Sequence, residues 1–149
     1  LGHVAAASPL AADVRAGAEL LAVFTGPHGY VSPRDYATSP SVPTWNYVAT
    51  HVRGRPRVLA GEAVLAVLDR LTAQFEAAEG GWSRAEVPED LVSRLLRGIV
   101  AFELEATRVE GKAKLSQNRS PADRDAAIEA LRARAPALAA LMAAARRKA

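Results

Sequence analysis

Three short segments of this sequence concentrate side chains suited to chemistry. Ser8-Pro9 reads as a helix start, where the serine can cap and the proline suits the first helical position. The same geometry offers a hydroxyl and free backbone N–H groups to an anion, with help from the helix dipole. Thr44-Trp45-Asn46-Tyr47 packs two aromatic rings and two hydrogen-bonding side chains into four residues. On a strand, Trp45 and Tyr47 face one way and Thr44 and Asn46 the other. Lys114, Ser116, Gln117, Asn118 and Arg119 crowd hydrogen-bond donors into a third stretch. Each segment also has an ordinary structural reading: a plain cap at Ser8, barrel core at Trp45, and a solvated face on which Lys114 pairs weakly with Thr107 or Glu105.

Other chemistries are less well provided for. Cysteine is absent, which removes disulfides, thiolate metal sites and a cysteine nucleophile. His3, His28 and His51 are scattered without carboxylates at metal-ligand spacing, and His28, between Pro27 and Gly29, reads as a turn residue. No nucleophile elbow, P-loop or dinucleotide-binding glycine motif is present.

The elements that must position these residues follow from pattern. The 149 residues are 50% hydrophobic and 23% charged, enough for one domain with a core. No apolar run reaches the length of a membrane span, and no signal segment opens the chain. With no cysteine, a reducing cytoplasm is the default location. The formal charge of +3 permits a phosphate-bearing partner without demanding one. Arg132, Arg134, Arg146, Arg147 and Lys148 make the C-terminal region basic, as helix-end cations often do, and no base-reading helix is visible.

Leu1-Gly2-His3-Val4 reads as the middle of a strand, without an initiator methionine, so an N-terminal portion is expected to be missing. A short helix runs from Ser8 to about Arg15 and closes at Gly17. Residues 19–25 form an apolar strand broken by Gly26-Pro27, and residues 29–32 form another. Residues 35–43 are a loop rich in Ser, Thr and Pro. Residues 44–52 form a strand, and Arg53-Gly54 turns it into a partner ending near Leu59. Apolar spacing predicts a helix over 62–79 stopped by Gly80-Gly81, then a short helix opened by Pro88 and ended by Gly98. Phe102, Leu104 and Ala106 alternate with Glu103, Glu105 and Thr107, the mark of a half-buried strand. Glu110-Gly111 is expected to turn that strand into a hairpin, with Thr107 opposite Lys114 and Ala106 opposite Leu115. Two helices, 121–134 and 136–148, end the chain. The class is α+β with an antiparallel sheet, its hairpins closing toward a barrel with flanking helices.

Four stretches, GHVAAASP at 2–9, GPHGYVSP at 26–33, VPTWNYVATHVRGR at 42–55 and EGKAKLSQNR at 110–119, resemble in order and interval the PaiB family of FMN-binding negative transcriptional regulators. The resemblance covers nearly the whole chain, with TWNY and KLSQNR its most specific parts. It implies a Greek-key split β-barrel, related to pyridoxamine-phosphate oxidases and flavin reductases. It implies a homodimer with FMN at the interface, and family sequences carry further strands ahead of GHVA. It assigns the cofactor to Ser8, Thr44, Trp45, Asn46, Tyr47, Lys114, Ser116 and Gln117. The phosphate would lie near Ser8, although many relatives have asparagine there. The ring would approach Thr44 to Tyr47, and the 114–119 segment would close the pocket. DNA binding rests on the family's name alone. The alternatives are an FMN-dependent oxidoreductase or flavin reductase using the same pocket, and a cofactor-free split-barrel interaction module.

Overall fold

A computed structural model describes residues 1–77 and 79–146, without the side chain of Arg146. The basic group expected at Arg146, Arg147 and Lys148 lies outside what it describes. Four strands, β1 (Gly2–Ala5), β2 (Leu20–Val31), β3 (Thr44–Val58) and β4 (Ile99–Lys114), form one antiparallel sheet in the order β1-β4-β3-β2. Three consecutive strands with the remaining one returned beside the far member make a Greek key. Among the described residues, five α-helices accompany them: α1 (Leu10–Ala16), α2 (Glu62–Thr72), α3 (Glu89–Leu96), α4 (Pro121–Leu131) and α5 (Pro136–Arg146). The fold is therefore α+β with an antiparallel sheet, as expected, and it fits a split barrel. Among the described residues, no helix is long and apolar enough to cross a membrane.

The strands are longer and fewer than pattern predicts, and glycine explains why. No turn breaks β2 at Gly26-Pro27. Pro27 is tolerated because β2 is an edge strand, and a Cβ on Gly26 would meet the Val48 carbonyl oxygen at 3.2 Å. No hairpin forms at Arg53-Gly54. A Cβ on Gly54 would lie 2.2 Å from the Glu105 carbonyl oxygen, so glycine permits a close approach of β3 to β4. Nor is there a hairpin at Glu110-Gly111, since β4 runs on to Lys114 and Gly111 is not among the residues with positive φ. The facing pairs Thr107–Lys114 and Ala106–Leu115 therefore do not exist; Thr107 instead donates to the Arg53 carbonyl at 3.2 Å. His28 sits inside β2 and is not a turn residue. The helix expected over 62–79 ends at Thr72, well before Gly80, which takes the left-handed conformation at φ 70°.

The chain divides into two compact units, residues 1–21 with 53–108 and residues 22–52 with 109–149, and β2, β3 and β4 each contribute to both. In the first unit β1 pairs with β4 in the register Gly2↔Phe102 through Ala5↔Ile99. Ala11 and Val14 of α1 are buried with Val100, and Val4, Leu20 and Phe102 pack against them. The helix closes where the sequence indicates, at Gly17 with φ 65°. In the second unit Val31, Tyr36, Leu115, Ile128, Leu131, Leu138 and Met142 form the core. Ile128, Leu131, Leu138 and Met142 are among the apolar residues that mark the tail as amphipathic helix. Ser120 caps α4, accepting the Asp123 N–H at 3.1 Å.

Candidate functional site

Alternation along β2 and β3 leaves His28, Tyr30 and Trp45 exposed in the second unit. His28 and Trp45 stack with ring centroids 5.8 Å apart, 25° from parallel, and Tyr30 tilts against Trp45 at 6.4 Å. Tyr30 and Trp45 are each about half exposed, at 48% and 49%. Exposed aromatic surface on this scale is costly to leave in water, and a planar ligand would cover it. A cavity of about 390 Å³ adjoins the rings and is also lined by Gly29, Ser32, Leu131, Arg134 and Ala135. That volume lies within the usual range for small-molecule sites.

One wall of this cavity is built with care. A Cβ on Gly29 would meet Leu138 Cδ2 at 3.1 Å and Ala135 Cβ at 3.5 Å, so glycine lets the α4–α5 corner approach β2. Arg134, on that corner, forms an ion pair with Asp35, which is buried. Asp35 also accepts the Ser32 N–H at 2.7 Å, in a capping box that opens a 3-10 turn over Pro33–Asp35. The guanidinium is thus oriented by a fixed carboxylate while its own side chain stays 48% exposed.

The residues assigned from sequence fall into distinct settings. Trp45 belongs to the aromatic platform, and Tyr47 lies on the same face of β3, half-buried. Lys114 Nζ donates to Thr44 Oγ1 at 2.7 Å in an exposed position. Asn46 is fully buried; its amide donates to Ser116 Oγ at 2.9 Å and contacts Met142 Sδ at 3.4 Å, while its Oδ1 has no partner. Ser116 is buried with φ 60°, an uncommon conformation for a residue with a side chain. Gln117 folds onto its own backbone, accepting from Leu115 N–H and donating to the Ala113 carbonyl, both at 2.7 Å. Ser8 lies in the first unit. There α1 begins at Leu10 with Pro9 in the cap position, one residue later than expected, so Ser8 is not the helix cap, and its hydroxyl accepts the Leu10 N–H at 3.3 Å.

The structure therefore joins Thr44 with Lys114, and Asn46 with Ser116. His28, Tyr30 and Arg134 are the additions that sequence reading missed. Unbroken alternation through Gly26-Pro27 would have placed His28 and Tyr30 on one face. Arg134 carried no local signal, because its partner Asp35 is 99 residues away.

The donor set fits FMN in kind. A flavin needs an apolar or aromatic surface for its ring, hydrogen-bonding groups for its imide edge, and a cation for its phosphate. The platform, the Thr44 hydroxyl and the exposed Lys114 and Arg134 supply these classes.

An α+β chain with this antiparallel sheet is consistent with a split barrel, and comparison with known proteins gives the family. The family described as "Putative FMN-binding domain" matches residues 1–108, and the chain belongs to it. It is 32% identical over 133 residues to "Protease synthase and sporulation protein PAI 2" of Bacillus subtilis (strain 168), covering 87% of this chain and 63% of that protein. It is 33% identical to uncharacterized proteins of Emericella nidulans and Aspergillus fumigatus, each match covering 74% of this chain and 51% of the relative. The chain thus spans between about half and just under two thirds of these relatives' length.

Proposed function

We propose that this chain binds FMN and acts as a negative transcriptional regulator of the PaiB type. The exposed, mutually stacked rings of His28 and Trp45 carry the binding half of this reading, together with membership of the FMN-binding family. The relationship to the Bacillus protein supports the regulatory half. The flavin ring stacks on the platform, the Thr44 hydroxyl meets a polar edge of the ring, and Lys114 meets the phosphate. Asn46, Ser116 and Gln117 hold the end of β4 in place beneath. Bound FMN would supply a redox-active ring; the residues named here bind and orient it.

We further propose that the protein is a cytoplasmic homodimer. Val23 and Phe24 of the edge strand β2 are exposed at 50% and 62%, which suits a self-complementary interface. Regulation then works through a partner or through weak intrinsic contact with DNA.

Quenching of FMN fluorescence tests the cofactor. Trp45→Ala should weaken FMN by about tenfold, the loss of one aromatic stacking contact. Equal quenching by wild type and Trp45→Ala would refute the platform. Bleaching of the bound flavin by NAD(P)H would move the reading to an oxidoreductase.

A further inference from the structure

A second cavity, of about 290 Å³, is lined wholly by residues of the first unit and by none of those assigned to the flavin. Its walls come from β1, α2, α3, the start of β4 and the 3-10 turn at Arg84–Glu86. They are chiefly aliphatic, with Leu68, Val92, Leu96 and Ile99 among them. The residues of α3 show why the space is notable. Leu91, Val92, Leu95 and Leu96 recur at helical spacing, yet no residue of α3 is buried. A helix stabilised by its apolar stripe normally buries that stripe; here Val92, Leu95 and Leu96 line the cavity instead, leaving space that matter of matching polarity would fill.

The polar groups at this cavity define what it would take. Asp69 and Arg84 both line it, and they are bound to each other through two hydrogen bonds of 2.9 Å each. Their charges are mutually satisfied, so neither offers a free ion to a charged ligand, and an anion would have to displace Asp69 from Arg84. The remaining polar groups are the Thr72 hydroxyl, the His3 ring and the indole of Trp82. We propose that this cavity binds an uncharged, largely apolar molecule of one or two rings, held by aliphatic packing and a single hydrogen bond at Thr72 or His3. The site is separate from the flavin reading and stands if that reading fails.

Isothermal titration calorimetry with 1-naphthol and 1-naphthoate as probes tests it. The neutral probe should bind with unit stoichiometry and at least tenfold more tightly than the anion. Val92→Trp, which fills the cavity, should weaken 1-naphthol by tenfold or more; should it prevent folding, Leu96→Phe is read in the same way. Thr72→Val keeps the shape and removes one hydrogen bond, so a loss of about fivefold is expected. Val42→Ser, in the exposed loop ahead of β3, should leave 1-naphthol binding unchanged and so separate the cavity from general surface hydrophobicity. The proposal is overturned if the filled variants bind 1-naphthol as wild type does, or if 1-naphthoate binds equally well. It is also overturned if light scattering shows Val92→Trp or 1-naphthol converting a dimer to monomer, because the face would then be an interface between copies.

Discussion

Lys114 donates to the Thr44 hydroxyl across 2.7 Å, tying the last residue of β4 to the first of β3. The ammonium has three donors, and this bond uses one, leaving others directed at solvent or ligand. The arrangement makes Lys114 a pre-positioned cation instead of a freely swinging one. Its removal separates phosphate from ring recognition. Lys114→Ala should weaken FMN by roughly tenfold while changing riboflavin little, the difference being a charge-assisted hydrogen bond to phosphate. Titration of both flavins checks this, and equal losses would place the lysine at the ring.

Gly54 gives a stability prediction that needs no ligand. A methyl group there would sit 2.2 Å from the Glu105 carbonyl oxygen and 3.1 Å from Leu104 Cγ. The first contact is with backbone, so relief requires β3 and β4 to separate locally. Gly54→Ala should cost about 3 kcal/mol or more, at the upper end for overpacking. Gly111→Ala, with nothing within 4 Å of the added carbon, should be close to neutral. Urea unfolding of the two variants makes the comparison; similar midpoints would mean that Gly54 does not enforce the close approach.

The contrast between those glycines shows how far sequence reading reached. Element ends were legible where one residue's chemistry decides them, as at Gly17 and Pro136, though Ser8 does not cap α1 as expected. Strand lengths were not, because a glycine that turns the chain and one that admits a neighbouring backbone look identical until the neighbour is known. Gly26, Gly54 and Gly111 were all read as breaks, which cut three long strands into shorter pieces. The same error hid part of the candidate site: with β2 broken, His28 became a turn residue and its stacking on Trp45 was invisible. Trp45 and Lys114 stood out by residue type and by family resemblance. The enclosure of Asn46 with Ser116 and Met142 depends on contacts 70 and 96 residues away in sequence.

Asp123 supplies a pH dependence with a definite sign. The residue is buried at the start of α4 and accepts from the backbone N–H and the hydroxyl of Thr38, each at 2.9 Å. Burial pushes its carboxyl upward, but the Thr38 hydroxyl, the Thr38 N–H, Ser120 and the nearby Arg119 charge together outweigh this, and the group lies below the ordinary carboxylate range. The charged form is therefore favoured in the folded state. Its contribution is fully present above the unfolded carboxylate value of about 3.9 and is lost as pH falls through the lower folded value. Acid should thus release the loop that Thr38 anchors. In Asp123→Asn the amide cannot ionise, so this part of the acid sensitivity disappears, while stability at neutral pH falls because two acceptor bonds from Thr38 are weakened. Thermal melting between pH 2 and 6 should show the wild-type and variant curves converging toward low pH. Parallel curves across that window would mean that ionisation of Asp123 does not stabilise the fold.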